Sequence, residues 1–324
     1  MRDVLVASER DLILSRIIRL RLTYSGIAPV APASVILKTA VPARIDGAWQ
    51  GGRQEVAFYT RIAPSLPARL VPGCFEAHYD EAKHGWHLLL EDLTDSHILP
   101  TQWPLPPTRT QCEAILTALA RFHATWWDDP RLGTSVGSWF DVAAMDRRTK
   151  WSAEQFTRFA DRLGDDLPPA RRDLYQRLFR AAPRLHRRYH SHRNMTIGHG
   201  DAHVWNCLLP RDGGDDVRLL DWDGWRVNVP TNDLAYMMAV HWYPDRRHRL
   251  ERTLLDHYHA VLLAHGVSGY DRHDLDEDYR LSVLWQMITP VWQAANNIPP
   301  MIWWSHLQRI LLAVDDLHCR DLLE

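Results

Sequence analysis

Three polar residues lie within a short stretch of the 324-residue chain: Asp201, Asn206 and Asp221. Asparagine and aspartate supply the oxygen ligands that Mg²⁺ accepts, and this ion is commonly shared with substrate phosphates. An aspartate five residues before the asparagine can accept the proton of an attacking hydroxyl. These residue types and their spacing predict phosphoryl transfer, with Asp201 as the base and Asn206 and Asp221 as magnesium ligands.

The sequence around these residues predicts how they are held. Short apolar runs cover residues 207–209 and 217–220, and a turn of glycine and aspartate lies between them at 212–215. This pattern is typical of a β-hairpin. The hairpin would place Asn206 and Asp221 near one end of two paired strands, with Asp201 on the loop just before.

At these residues the chain resembles the aminoglycoside phosphotransferase and choline kinase superfamily, which is related to the protein kinases. The shared pattern is His-Gly-Asp at 199–201, asparagine five residues after that aspartate, Asp-Trp at 221–222, and Pro-x-x-Asp-Leu-Ala at 230–235. The resemblance implies a small-molecule kinase that uses ATP or GTP and Mg²⁺. It also implies an α+β, bilobal, protein-kinase-like fold with a small antiparallel sheet lobe containing one helix, and a larger, mainly helical C-terminal lobe.

Three further residues are predicted to support the site. His199 would order the catalytic loop, and the resemblance implies that Asp233 reaches back to the backbone of that loop and so orients Asp201. Asp223 lies two residues beyond Asp221 and would point the same way on a strand. It would either support a second metal ion or be an ordinary solvent-facing or capping carboxylate.

The N-terminal part of the chain predicts the sheet lobe. We expect strands at 4–7, 18–24, 34–38, 75–79 and 86–90, and a helix at 53–63. The third strand ends in Lys38, where kinases place the lysine that pairs with the α- and β-phosphates. Glu55 matches the helix glutamate that would hold Lys38 in this position, although an acidic residue there also suits the helix dipole.

After the fifth strand, Glu91, Asp92 and Leu93 resemble the hinge between kinase lobes, whose main-chain groups bind the adenine edge. We therefore assign them to nucleotide binding. The predicted domains are a nucleotide-binding lobe at 1–92 and a catalytic and substrate-binding lobe at 93–324.

One feature departs from the protein-kinase pattern. A protein kinase carries a glycine-rich turn between its first two strands, whereas the predicted turn at 8–11 contains no glycine. The chain also lacks Asp-Phe-Gly, and only about ten residues separate Asp223 from Asp233, too few for an activation segment. These differences argue against a protein kinase.

Helices are predicted in the rest of the chain at 108–126, 168–190, 231–240, 245–265, 276–295 and 299–322. His123 lies in the first of these helices and is expected to be a packed, hydrogen-bonded structural residue. Thr231 is the expected N-cap of the helix at 231–240. Residues 131–163 show no clean periodicity, and no element is predicted there.

Composition narrows the possible partners and compartment. The formal net charge is −2 and the pI is about 6.8, which gives no general attraction to nucleic acid. Four widely spaced cysteines without a Cys-x-x-Cys motif predict reduced, mostly buried thiols. The sequence contains no apolar run long enough to span a bilayer or to form a signal peptide, so we expect a cytoplasmic protein that does not bind membranes. We expect a monomer or a homodimer.

Two other classes of protein, a metallohydrolase and a kinase-like binding module, have less support. His199 and His203 flank Asp201 as in fragments of metallohydrolase sites, but no further histidine cluster completes such a site. A kinase-like binding module that has lost catalysis is supported only by the glycine-free first turn. Lys38, Asp201, Asn206 and Asp221 are all intact, which favours an active enzyme.

The sequence leaves the acceptor open. The superfamily phosphorylates aminoglycosides, other hydroxylated antibiotics, choline and other small metabolites, and segments at 19–24, 34–38 and 91–93 look closer to the ecdysteroid-kinase-like branch. Carboxylates near the C-terminus would suit amines, whereas the many tryptophans would suit a flat, apolar or quaternary-ammonium acceptor. We predict phosphorylation of a hydroxyl on an antibiotic or another small natural product, with choline or a similar metabolite as the alternative.

Overall fold

The computed structural model describes residues 1–12, 14–26, 31–41, 51–67 and 69–324. The chain forms two compact units, and each is built from two stretches of sequence. Unit 1 comprises Met1–Phe122 and His199–Trp225, and unit 2 comprises His123–Gly198 and Arg226–Glu324. The lobe division after residue 92 stays a prediction.

Unit 1 begins with an antiparallel sheet of five strands: β1 (Asp3–Asp11), β2 (Ser15–Thr23), β3 (Ser34–Ala40), β4 (Cys74–Tyr79) and β5 (Trp86–Glu91). Their spatial order is β1-β2-β3-β5-β4. Between β3 and β4 in the chain, helix α1 (Gly51–Ala57) continues as a π-helical turn and a 3₁₀ turn, Phe58–Ile62 and Ala63–Ser65. All five predicted strands and the predicted helix are confirmed, with shifted ends.

The predicted turn at 8–11 is wrong, because these residues belong to β1. Asp11 pairs with Arg16 in the β1–β2 register, and the chain turns after Asp11. The polar run indicated a turn, but its acidic side chains form cross-strand ion pairs: Arg16 lies 2.6 Å from Asp11 and 3.0 Å from Glu9. Such pairs stabilise the polar C-terminal half of β1, a strand that is exposed along its whole length.

The centre of the sheet positions Lys38 and α1. Lys38 lies opposite Leu88 in the antiparallel pairing of β3 with β5. Alternate residues of β5, Trp86, Leu88 and Leu90, are buried. A Cβ atom at Gly52 would collide with the Trp86 indole, so only glycine allows α1 to approach the sheet this closely.

The next elements along the chain are a short strand and four helices. They are β6 (His97–Ile98), α2 (Arg109–Thr125), α3 (Val142–Leu163), α4 (Pro169–Leu185) and α5 (Arg187–His190), followed by β7 (Thr196–Gly198). The predicted helices at 108–126 and 168–190 are confirmed.

Helix α3 was not predicted from the sequence. Asp141 caps its N-terminus by accepting a hydrogen bond from the Ala144 amide at 2.5 Å. Met145, Phe156 and Phe159 are among its buried residues and recur at helical spacing. This pattern was present in the sequence, but the aromatic residues before Asp141 obscured where it begins.

The predicted hairpin is confirmed in unit 1. Strands β8 (Cys207–Pro210) and β9 (Arg218–Leu219) are antiparallel, with Cys207 opposite Leu219. The Leu220 amide donates to the Asn206 carbonyl at 2.8 Å, which extends the pairing by one step. Asn206 and Asp221 therefore lie at the same end of the hairpin, as predicted.

The remainder of unit 2 is mainly helical. It comprises β10 (Arg226–Asn228), α6 (Thr231–Ala235), α7 (Pro244–Ala264), α8 (Arg272–Gln286), α9 (Ile288–Ala295) and α10 (Pro300–Asp316). β10 pairs with β7 in the antiparallel sense. Helix α6 continues as a π-helical turn, Tyr236–Val240.

The predicted N-cap role of Thr231 is wrong, because Pro230 occupies the cap position. Thr231 is the first helical residue, and its hydroxyl forms a buried hydrogen bond of 2.9 Å with that of Ser282.

The predicted α+β class is confirmed: an antiparallel sheet forms the N-terminal part and the C-terminal part is mostly helical. Across the described ranges, none of the helices combines the length and the apolar character needed to cross a membrane.

Candidate active site

Lys38 lies between two carboxylates in unit 1. Its Nζ atom is 2.7 Å from Glu55 of α1 and 2.6 Å from Oδ1 of Asp221. The side chains of Lys38 and Glu55 are 8% and 1% exposed, whereas that of Asp221 is 38% exposed. The structure thus brings together the predicted Lys38 and Glu55 and adds a direct contact with Asp221, which the sequence did not predict.

Lys38, Glu55 and Asp221 form a triad whose charges depend on one another. Burial by itself would lower the pKa of Lys38, but the carboxylates of Asp221 and Glu55 raise it above its ordinary value. Burial favours protonation of Asp221, but the Lys38 ammonium outweighs it and holds the pKa of Asp221 below its usual value. A protonated Lys38 and an ionised Asp221 follow.

Asn206 holds the side chain of Asp201. Its amide nitrogen donates to both the carbonyl and the carboxylate Oδ2 of Asp201, each at 2.9 Å. Because both partners are acceptors, the nitrogen of the amide must face Asp201. The amide oxygen of Asn206 is then the atom left to bind a cation.

His199 supports the loop from the other side. Its Nε2 atom donates to the Leu220 carbonyl at 2.7 Å, and its Nδ1 atom accepts from the Asp201 amide at 3.3 Å. The ring also contacts the Trp222 indole, with centroids 4.3 Å apart. His199 therefore connects the loop carrying Asp201 to the end of the hairpin carrying Asp221, and its supporting role in a reaction stays a prediction.

The backbone of Asp221 has a positive φ of 64°, a conformation that non-glycine residues rarely adopt. Its neighbour Trp222 is fully buried and stacks on Phe58 at 4.0 Å with an interplanar angle of 6°. A second anchor is reciprocal: Gln54 donates to the Trp225 carbonyl at 2.7 Å, and the Trp225 indole donates to the Gln54 carbonyl at 2.8 Å. These contacts fix the Asp221 backbone beside α1, and a strained residue held in this way is typical of functional sites.

Asp223 lies in a region of accumulated negative charge. Burial and the charges of Asp221 and Asp201 raise its pKa well above the ordinary value. A divalent cation would relieve this repulsion, so the residues present fit Mg²⁺. We name Lys38, Glu55, Asp201, Asn206, Asp221 and Asp223 the site cluster.

The available ligand atoms also suit Mg²⁺ better than a metal ion that is coordinated entirely by protein side chains. In the part of the chain that the structure describes, no group of three or more His, Cys, Asp or Glu side chains is arranged to hold a metal ion. Mg²⁺ usually takes one or two carboxylates and completes its coordination with water and substrate phosphates. Asn206 and Asp221 would be its protein ligands.

A second polar cluster lies in unit 2. His123 donates from Nε2 to Asp233 Oδ2 at 3.1 Å, and its Nδ1 atom lies 2.6 Å from the Tyr258 hydroxyl. The side chains of His123 and Asp233 are 0% and 1% exposed. We name His123, Asp233 and Tyr258 the core cluster. His123 is the structural histidine that was expected, and the role of Asp233 in orienting Asp201 stays a prediction.

The predicted hinge residues use their side chains for structure. Glu91 accepts from Arg218 at 2.9 Å and from the Gly73 amide at 3.0 Å, and Asp92 accepts from Arg19 at 2.6 Å. The Glu91 amide donates to the Gly73 carbonyl at 2.7 Å. The Leu93 carbonyl accepts from the Ser96 and His97 amides at 3.2 and 2.9 Å, and an adenine contact by the main chain of this segment stays a prediction.

Taken together, unit 1 holds a lysine fixed by a glutamate, a carboxylate fixed by an asparagine, and a carboxylate and an amide oxygen suited to magnesium. This fold and site define a small-molecule phosphotransferase of the kinase-like class. A model of the phosphotransferase enzyme family matches residues 31–275. The chain belongs to this family.

Solved structures show the same fold at low sequence identity. A Ralstonia eutropha protein, provisionally assigned as an aminoglycoside phosphotransferase, is 14% identical, with a TM-score of 0.59 over 98% of this chain and 92% of that chain. Aminoglycoside phosphotransferase APH(3'')-Id of Streptomyces rimosus, in complex with ADP and streptomycin, is 16% identical, with a TM-score of 0.52 over 85% and 90%. An ethanolamine kinase of Plasmodium vivax is 10% identical, with a TM-score of 0.55 over 97% and 83%. No curated protein matches the chain.

Proposed function

We propose that this enzyme transfers the γ-phosphoryl group of ATP or GTP to a hydroxyl of a small hydroxylated molecule, such as an antibiotic or another natural product. The observation that carries the proposal is the arrangement of Asp201 and Asn206 in the same unit as the Lys38–Glu55–Asp221 triad. The ADP-bound relative from Streptomyces rimosus supports a nucleotide co-substrate.

In the proposed reaction, the acceptor oxygen forms a bond to the γ-phosphorus, and the bond between this phosphorus and the oxygen bridging to the β-phosphate breaks. The nucleoside diphosphate leaves, and the acceptor proton passes to the carboxylate of Asp201. Asn206 keeps this carboxylate in one orientation through its amide hydrogen bond. Lys38 neutralises phosphate oxygens that are not transferred.

Mg²⁺ bound to Asn206 and Asp221 would neutralise phosphate charge. Asp221 would then have two partners, since it already contacts Lys38 at 2.6 Å. Because 38% of the Asp221 side chain is exposed, it can reach a ligand from solvent while Glu55 keeps Lys38 in place.

The proposal is tested by thermal unfolding with ATP or GTP, in Mg²⁺ or in EDTA, followed by an assay of diphosphate release. The acceptors are aminoglycosides, other hydroxylated antibiotics, choline and ethanolamine. We expect stabilisation by nucleotide that requires Mg²⁺, and release that requires an acceptor.

The Asp221→Asn variant tests the metal role in the same experiment, and Asp215→Asn is its matched control because Asp215 is an exposed carboxylate on the same stretch. Asp221→Asn should lose the Mg²⁺-dependent part of the stabilisation, and Asp215→Asn should keep it. Equal stabilisation in Mg²⁺ and EDTA would contradict the metal role, and no release with any acceptor would contradict the reaction.

A further inference from the structure

Arg19 of β2 forms two ion pairs within unit 1 that the proposed reaction does not use. Its Nε atom lies 2.6 Å from the Asp92 carboxylate, and its Nη2 atom lies 2.7 Å from the Asp95 carboxylate. Both acidic residues follow the end of β5. The Arg19 side chain is 17% exposed. The guanidinium group is therefore fixed in position, but solvent can still reach part of it.

The strand pairing shows which face of the sheet carries Arg19. In the register of β2 with β3, Arg19 lies opposite Ile36, and Ile36 is two residues before Lys38. Residues that lie directly opposite each other share a face, and so do residues two apart in one strand. Arg19, Ile36 and Lys38 therefore lie on the same face of the sheet.

The ion pairs also show the course of the Arg19 side chain. Strand β3 lies between β2 and β5, and neighbouring strands are about 4.8 Å apart. To contact Asp92, which follows β5, the Arg19 side chain must pass β3 on the face that carries Lys38. Because Arg19 is level with Ile36, it passes β3 at least about 7 Å along the strand from Lys38.

Both carboxylates hold the guanidinium group by its edge. Burial by itself would raise the pKa of Asp92, but hydrogen bonds, including those from Ser34 and Arg19, lower it to about 2, so Asp92 is ionised at neutral pH. The N–H groups of a guanidinium donate in its plane, which leaves its two flat faces for stacking on rings. In the described ranges, no aromatic ring stacks on Arg19.

We propose that the guanidinium group of Arg19 stacks on the nucleobase of the co-substrate. This inference rests on the proposed function, in which Lys38 neutralises phosphate oxygens and the base lies toward the predicted hinge at 91–93. The nucleotide would then extend along one face of the sheet, from Lys38 to Arg19. Stacking recognises the flat face of a base rather than its hydrogen-bonding edge, so Arg19 should contribute equally to the binding of ATP and GTP.

The first experiment separates the base from the phosphates. Calorimetry in Mg²⁺ measures the binding of ATP, GTP and tripolyphosphate to the full chain, and tripolyphosphate has a phosphate chain but no base. We expect Arg19→Ala to bind both nucleotides about tenfold more weakly, because a stacking contact is lost. The affinity for tripolyphosphate should stay that of the wild type.

Arg16→Ala is the matched control. Arg16 also lies on β2 and also pairs with two carboxylates, those of Asp11 and Glu9. It lies opposite Thr39, however, and therefore on the other face of the sheet from Arg19. Arg16→Ala should bind all three ligands as the wild type does.

The second experiment tests whether Arg19 is only a link between β2 and the segment after β5. Arg19→Lys keeps a positive charge for Asp92 but has no planar group. We expect its urea midpoint, measured without ligand, to lie closer to that of the wild type than the midpoint of Arg19→Ala does. Its nucleotide affinity should instead fall about tenfold, as in Arg19→Ala. Nucleotide affinity equal to that of the wild type in Arg19→Lys would overturn the stacking role.

Failure of the inference and failure of the proposed function are distinguishable. Unchanged nucleotide binding in Arg19→Ala, or an equal loss of affinity for nucleotides and tripolyphosphate, would overturn the stacking role. Diphosphate release that requires an acceptor would then leave the phosphotransferase intact. Nucleotide binding that depends on Arg19, with no release from any acceptor, would support stacking and contradict the reaction. No nucleotide binding by the wild type would contradict both.

Discussion

The site cluster and the core cluster both contain buried polar side chains. They differ because two carboxylates of the site cluster are open to solvent. Asp201 and Asp221 of the site cluster are 34% and 38% exposed, whereas His123 and Asp233 of the core cluster are 0% and 1% exposed. The exposed carboxylates of such a cluster can bind a ligand from solvent in place of a neighbouring side chain. A sealed cluster is expected mainly to hold the surrounding elements together.

The chemistry of the two clusters follows this difference. Lys38 bridges Glu55 and Asp221, so the site cluster holds a buried ammonium group between two carboxyl groups. In the core cluster, a chain of hydrogen bonds links Tyr258, His123 and Asp233. We therefore expect changes in the site cluster to affect turnover, and changes in the core cluster to affect stability.

The largest effect should come from Asp201→Asn. Loss of the proton acceptor should lower kcat by about 10²–10⁴-fold, while affinity for Mg²⁺-ADP stays near that of wild type, because Asn206 rather than Asp201 is assigned to the metal. Steady-state kinetics and calorimetry measure these two quantities, with Asp215→Asn as the control. A kcat equal to that of the wild type would contradict the assignment of Asp201 as the base.

The second largest effect should come from the ion pair of Lys38 with Glu55, the most deeply buried charges of the site cluster. Lys38→Met leaves Glu55 buried without its cation and should lower the free energy of unfolding by about 3–5 kcal/mol. Adding Glu55→Gln should recover a large part of this loss, because the stranded charge is removed. The Asp221 side chain is 38% exposed, so water can solvate its charge and it should contribute little to the loss of stability.

Urea unfolding of the wild type, the two single variants and the double variant, all without nucleotide, measures this coupling. Stability losses that simply add would show that Lys38 and Glu55 act independently, which is incompatible with an ion pair at 2.7 Å.

The smallest effect should come from Tyr258→Phe in the core cluster. This change removes the hydroxyl 2.6 Å from Nδ1 of His123 and leaves a buried acceptor unsatisfied, so the free energy of unfolding should fall by about 1–3 kcal/mol. The values of kcat and KM should change by less than about twofold, since Tyr258 is not part of the site cluster. A large fall in kcat at unchanged stability would break the comparison and give the core cluster a part in catalysis.

Much of the site could be predicted because its signals are local. The hairpin after Asn206 follows from two apolar runs and a turn between them, and the structure pairs Cys207 with Leu219 accordingly. Lys38 and Glu55 were predicted as a pair from the resemblance to kinases, and they lie 2.7 Å apart.

The errors arose where local signals conflicted with longer-range pairing. The polar run at 8–11 indicated a turn, but ion pairs with Arg16 of the neighbouring strand keep it extended. Helix α3 has a cap and a periodic apolar face, yet the preceding aromatic residues concealed its start. Thr231 has the right type for an N-cap, but Pro230 takes that position and Thr231 bonds to Ser282 instead.

The sequence by itself determined the class of chemistry, because the types and spacing of Asp201, Asn206 and Asp221 are properties of one short stretch of chain. Only the tertiary structure decided that Lys38 contacts Asp221 across 183 residues, and that Asp221 adopts a positive φ beside a buried Trp222. Such contacts depend on how distant elements pack and which charges lose their water, and neither quantity can be read from the spacing of residues along the chain.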